Sequence, residues 1–138
     1  MKIYTTSRED YLKAVLVLQK KTGEVHSVDV ARYLGFSKPS DCHAVSLMSN
    51  EGYLTMDESH VLHLTEKGRE IAERTYEKHC FFSAQLIELG VDPVVAQEDA
   101  CRLEHAISQE SFEKLKEKFG TDCIQKFIEK YQVTHTEG

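Results

Sequence analysis

The sequence predicts a mainly α-helical fold with a small β wing: an N-terminal winged helix-turn-helix followed by an all-helical dimerisation domain. Two short helical segments meet at Gly35 and a tight turn, which is the pattern of a helix-turn-helix. A short pair of strands follows and ends at Leu64, as a wing does. The remaining sequence has helical apolar spacing throughout. We therefore predict domains at residues 1–64 and 65–138.

The first domain opens with a helix that begins near Ser7 and ends before Gly23. A second helix covers residues 27–34 and ends at Gly35. Ser37 is a suitable N-cap for a third helix, and Pro39 lies in its first turn, where a missing N–H costs nothing. The third helix is the predicted recognition helix.

Several side chains near the start of the recognition helix are expected to face outward and bind DNA. Their hydroxyl, imidazole and ammonium groups suit base edges and phosphates, and a proline ring suits a thymine methyl. The predicted DNA-binding residues are Ser37, Lys38, Pro39, Ser40 and His43. Asp41 is also expected to face outward, where it would oppose phosphate unless it contacts a cytosine amino group.

Strands are predicted at 53–56 and 61–64, around an acidic turn that would contact the DNA backbone only weakly. The second domain then shows four helical patterns with strongly apolar faces, which indicate an association surface and a homodimer. These helices are predicted at residues 66–89, from Pro93 through His105, from Ser108 to Gly120, and at 122–131.

A candidate metal site lies on the second of these helices. Cys101, Glu104 and His105 are spaced i, i+3 and i+4, so they project from one helix face. Thiolate, carboxylate and imidazole are the side-chain groups that bind transition metals. One face supplies only three ligands, so further ligands are expected from elsewhere in the chain.

The other cysteines and the charge set limits on function. The four cysteines are scattered without a CxxC pair, which argues against a zinc ribbon and a disulfide framework. We expect Cys42 and Cys123 to be small buried apolar residues. The net charge is −6, with −1 in the first 64 residues and −5 in the remainder. Such a protein binds DNA poorly without local patterning.

No apolar run is long enough for a membrane span, and the N-terminus lacks a signal-peptide core. We therefore expect a cytoplasmic protein with no membrane partner.

The order of these motifs resembles the iron- and manganese-dependent repressors of the diphtheria-toxin-repressor and manganese-transport-regulator type. The resemblance covers about residues 4–120 and implies the two-domain form, without an SH3-like domain. The matching stretches are residues 6–12, 28–40, 64–68 and 100–108.

The resemblance implies a metal site formed by Asp10 together with Cys101, Glu104 and His105. Iron-type members carry Cys at the position of Cys101, whereas manganese-type members carry Asp at the position of Asp10, so this chain combines the two types. Fe²⁺ or Mn²⁺ is therefore the expected ion, although a thiolate also suits Zn²⁺, Co²⁺ or Ni²⁺.

The family's second metal position is incomplete in this sequence. The iron-type site would need an acid at Ser83 and a histidine at Gln97, beside His79, and the manganese-type cluster would need a Glu at Lys13. We therefore expect one well-formed site per subunit. His79 is either a further ligand of that site or a core histidine, and the sequence leaves both open.

The resemblance implies a metal-activated transcriptional repressor that controls metal-homeostasis genes and binds a palindromic DNA operator as a homodimer. The alternative is a metal-independent or redox-sensing winged-helix regulator that uses Cys101. A metal-dependent hydrolase is disfavoured because no general base is available outside the presumed ligands. We therefore do not expect an enzyme.

Overall fold

The computed structural model describes residues 5–132, with the side chains of 8–131. Within these residues the chain is mainly helical with one two-stranded sheet, as predicted. The elements are α1 (Thr5–Thr22), α2 (Ser27–Leu34), α3 (Lys38–Asn50), β1 (Leu54–Met56), β2 (Leu62–Leu64), α4 (Glu66–Glu88), α5 (Pro93–Ala106), α6 (Gln109–Phe119), α7 (Asp122–Phe127) and a π-helical segment, Ile128–Gln132. The predicted last helix is thus regular only as far as Phe127.

The chain forms two compact units that divide between Arg74 and Thr75, within α4. The hairpin ends ten residues earlier, at Leu64. The domain boundary after Leu64 therefore stays a prediction, and each unit is described separately below.

The first unit is built on the apolar stripe of α1, which packs with α2 and α3. Its buried side chains come from all three helices and from both strands. They include Tyr11, Leu12, Val15, Leu16, Val25, Val30, Val45, Met48, Leu54 and Leu62. The turn between α2 and α3 depends on Gly35, whose φ of 76° is readily adopted only by glycine.

The wing is an antiparallel hairpin in which Leu54 is paired with Leu64. Its turn is held by Asp57, whose carboxylate accepts hydrogen bonds from the Ser59 and Val61 N–H groups at 2.8 and 3.0 Å. The Val61 N–H is the main reason why the pKa of Asp57 lies below its usual range.

The hairpin joins α4 at a close backbone approach. The Thr65 hydroxyl caps α4 by accepting from the Gly68 N–H at 3.1 Å. A Cβ atom at Gly68 would overlap with the backbone carbonyl of Tyr53, so this helical position requires glycine.

The second unit has a core shared by α4, α6 and α7. Phe81 and Phe112 pack edge to face, with ring centroids 5.4 Å apart, a favourable arrangement for aromatic rings. The buried residues of this core are Cys80, Phe81, Ala84, Phe112, Cys123 and Phe127. The predicted burial of Cys123 is confirmed. Among the described helices, none is both long and apolar enough to cross a membrane.

Candidate metal centre and recognition helix

Helix α5 carries the candidate metal ligands and begins where the sequence predicts. The Asp92 carboxylate accepts from the Val94 N–H at 3.0 Å, and Pro93 occupies the first helical position. With this start, Cys101 and Glu104 are one turn apart on the same face.

Three side chains that could hold a metal ion converge in the second unit. His79, on α4, places Nδ1 at 3.2 Å from Oε1 of Glu104 and 3.7 Å from Sγ of Cys101. One ligand atom from each of the three side chains lies within 4.8 Å of the others. His105 approaches the second carboxylate oxygen, with Nε2 at 3.3 Å from Oε2 of Glu104.

The carboxylate of Glu104 is at the centre of this arrangement. The residue is only 1% exposed, and a buried carboxylate is costly unless it is paired. Both of its oxygens face an imidazole, and together with the Cys101 sulfur these groups form an N/O/S donor set. Such a set fits a divalent transition metal, and it can also be held together by histidine–carboxylate hydrogen bonds alone.

Asp10 lies on α1, in the first unit. Its Oδ1 is 3.9 Å from the Lys13 ammonium, so the two residues share a helix face. A protonated lysine at this position offers no metal ligand.

The incomplete second position of the family is also visible in the second unit. Ser83 is fully buried, and its side chain is a hydroxyl instead of an acid. Gln97 uses its amide nitrogen to donate to the Pro93 carbonyl at 3.3 Å, within α5. Of the three positions that this site requires, His79 is the one that carries the expected residue.

The recognition helix α3 starts at the predicted cap. The Ser37 hydroxyl accepts from the Ser40 N–H at 3.2 Å. The five predicted DNA-binding residues lie at the start of α3, and all but the half-buried Ser40 are exposed: Ser37, Lys38, Pro39, Ser40 and His43.

Two expectations about α3 are wrong. Asp41 does not face outward: it is 3% exposed and accepts a hydrogen bond of 2.7 Å from the Tyr11 hydroxyl. Cys42, expected to be buried, is exposed instead. Helix geometry explains both, because Asp41 shares the buried face of Ala44 and Val45 whereas Cys42 does not.

Both parts of the chain match models of one known protein family. Residues 4–61 match the model described as the N-terminal DNA-binding domain of the iron dependent repressors. Residues 65–122 match the metal-binding and dimerisation domain of the same proteins. The chain belongs to the iron-dependent repressor family. This family description disfavours the metal-independent alternative.

Two transcriptional regulators are similar to this chain over most of its length, in agreement with its membership of the iron-dependent repressor family. The transcriptional regulator MntR of Salmonella typhimurium is 31% identical over 105 residues, which cover 76% of this chain and 67% of that protein. An HTH-type transcriptional regulator of Methanocaldococcus jannaschii is 34% identical over 118 residues, which cover 82% of this chain and 94% of the relative.

Solved structures share the fold. IdeR of T. acidophilum superposes with a TM-score of 0.73 at 24% identity, over 88% of this chain and 56% of its own. The manganese regulator SloR gives a TM-score of 0.72 at 26% identity, over 83% of this chain and 54% of its own. The chain thus spans just over half the length of these two structures.

Proposed function

We propose that the protein is a cytoplasmic, homodimeric repressor whose binding to operator DNA is activated by a divalent transition metal. The observation that supports this most directly is the convergence of His79, Cys101 and Glu104 in a chain whose family binds both DNA and metal. By analogy with its relatives, the regulated genes would serve metal homeostasis.

We propose that one ion per chain is bound by His79, Cys101, Glu104 and His105. Asp10 joins this set through the family resemblance. The expected ion is Fe²⁺ or Mn²⁺, since oxygen and nitrogen ligands suit both and the thiolate shifts the preference toward Fe²⁺.

Metal binding requires particular protonation states of the side chains in the site. The thiol of Cys101 has to lose its proton, and the two imidazoles have to be neutral, so metal binding releases protons and strengthens as pH rises. When bound, the ion supplies the positive charge that offsets the carboxylate and thiolate charges. Glu104 holds the central position because its two oxygens already face both imidazoles at 3.2 and 3.3 Å.

Metal binding and DNA binding are expected to be coupled through the protein. If the metal tightens DNA binding by some factor, DNA must tighten metal binding by the same factor. A symmetric dimer of helix-turn-helix domains presents its two recognition helices about 34 Å apart or a multiple of that distance. The proposed operator is therefore palindromic.

The test compares DNA binding with and without metal. The probe is a labelled duplex from the region upstream of the protein's own coding sequence, titrated in Mn²⁺, Zn²⁺, anaerobic Fe²⁺ or chelator. We expect tight binding with at least one metal and weak binding in chelator. Glu104→Gln should lose the metal effect, whereas the control Glu98→Gln, at an exposed position on the same helix, should keep it.

Undiminished binding of the wild-type protein in chelator would contradict the proposal. Retention of the full metal effect by Glu104→Gln would instead place the metal site elsewhere.

A further inference from the structure

The recognition helix is tied to α1 by a buried polar contact near its N-terminus. The Tyr11 hydroxyl donates to Oδ1 of Asp41 at 2.7 Å, and both residues are buried. Tyr11 directly follows the candidate ligand Asp10, and Asp41 lies in the first turn of α3, between the exposed DNA-binding positions.

This contact carries a free-energy cost, because it places a carboxylate in the core. A buried carboxylate loses its hydration, and burial raises the pKa of Asp41 although hydrogen bonds from the Tyr11 and Ser27 hydroxyls oppose that rise. An apolar pair of similar volume would fill the same space without this cost. A buried polar contact differs from an apolar one in fixing direction and distance, since the hydrogen bond is lost when either helix shifts.

A second contact ties the other end of the recognition helix to the same part of α1. Arg8 forms an ion pair with Glu51, with Nε at 2.9 Å from Oε1, and its Nη2 donates a hydrogen bond to Oε2 at 3.2 Å. Glu51 is the C-cap of α3. Its backbone carbonyl also accepts from the Lys67 ammonium at 3.1 Å. The hydrogen bond from Nη2 adds a directional constraint to this ion pair, because a hydrogen bond weakens when its angle changes.

Arg8 and Tyr11 are three residues apart and flank Asp10 in the chain. Their partners, Asp41 and Glu51, stand at the two ends of α3. We propose that these two contacts are positioning contacts, through which the α1 segment around Asp10 sets the placement of the recognition helix. This inference rests on the proposed metal-activated function and identifies the residues of the first unit that carry its regulation.

The test distinguishes an effect on the placement of the recognition helix from an effect on folding stability. A double variant, Tyr11→Phe with Asp41→Val, replaces the polar pair by an apolar pair, so no buried carboxylate is left without a partner and the protein should still fold. For wild type and variant, the DNA Kd is measured in chelator and in Mn²⁺, on the upstream duplex. Mn²⁺ affinity without DNA is measured by calorimetry, and stability by thermal unfolding.

We expect the double variant to unfold at or above the wild-type temperature and to bind Mn²⁺ alone as the wild type does. The ratio of its DNA Kd in chelator to that in Mn²⁺ should fall at least about fivefold, the lower end of ordinary allosteric coupling. Glu51→Gln, which weakens the second contact, should lower the ratio in the same direction. The control Tyr53→Phe removes a tyrosine hydroxyl from the same unit and should leave the ratio unchanged.

A wild-type Kd ratio in the double variant would overturn the inference while the wild type responds to metal. That ratio would also follow from an equal loss of DNA affinity in Mn²⁺ and in chelator, which is the signature of a merely structural pair. A wild-type protein with no response to metal would refute the proposed function itself, and the inference with it.

Discussion

His79 contacts Glu104 across 25 residues of sequence, with Nδ1 at 3.2 Å from Oε1. The contact joins the middle of α4 to the C-terminal part of α5. The sequence left His79 open between a metal ligand and a core histidine. Its position beside both Glu104 and the Cys101 sulfur supports the proposed ligand role.

His79→Gln tests this role. The variant keeps a polar side chain but removes the imidazole, so we expect affinity for Mn²⁺ to fall at least about tenfold, as it does when a metal site loses a supporting group. Calorimetric titration of the metal-free protein measures the change. His63→Gln, at an exposed position on the wing, is the control and should bind as the wild type does. Wild-type affinity in His79→Gln would identify a core histidine.

We expect Cys101 to influence which metal the proposed site prefers. Replacing its thiolate by a carboxylate, in Cys101→Glu, should shift the preference from Zn²⁺ toward Mn²⁺, because carboxylates favour the harder ion. Competition between the two ions, measured on wild type and variant, gives the change in selectivity. We expect the Mn²⁺/Zn²⁺ affinity ratio to rise at least about tenfold, the scale on which ligand-sphere changes alter metal sites.

Cobalt binding provides the control for Cys101. A cobalt–thiolate bond gives a near-ultraviolet charge-transfer band, which Cys101→Glu should abolish. Cys42→Ser, which alters an exposed cysteine on α3, should keep the band. A band that persists in Cys101→Glu would assign the sulfur ligand to another cysteine.

Lys38 is the most basic group among the predicted DNA-binding residues, and it is exposed at the start of α3. Lys38→Ala should weaken binding to all DNA sequences and lower the salt slope of log K by about one, because one phosphate contact is lost. Titrations at several salt concentrations measure the slope. Lys126→Ala, at an exposed position on α7, should leave the slope unchanged. An unchanged slope in Lys38→Ala would remove this residue from the interface.

The starts of α3, α5 and α6 were predictable because caps act over a few residues, whereas α1 begins at Thr5, before the predicted Ser7. Ser37, Asp92 and Ser108 all accept hydrogen bonds from nearby N–H groups, as their sequence context indicated. The i, i+3 spacing also placed Cys101 and Glu104 together without any knowledge of tertiary structure.

The error at Asp41 arose because a distant residue supplies a hydrogen bond that sequence context does not reveal. The helical period already put Asp41 on the face of Ala44, Val45 and Met48, but its charge argued for exposure. The Tyr11 hydroxyl, 30 residues earlier in the chain, donates a hydrogen bond that offsets part of the cost of burying the Asp41 carboxylate. The role of His79 beside Glu104 was left open because no local pattern links α4 to α5.

Phe112 should carry much of the stability of the second unit. It is fully buried and packs edge to face on Phe81, so Phe112→Ala should lower the free energy of unfolding by about 3–5 kcal/mol. Phe119, on the same helix, is 59% exposed, and Phe119→Ala should change stability by no more than about 0.5 kcal/mol. Urea denaturation followed by far-ultraviolet circular dichroism measures both. Equal losses in the two variants would contradict the core described for α4, α6 and α7, because only a buried ring leaves a cavity when it is removed.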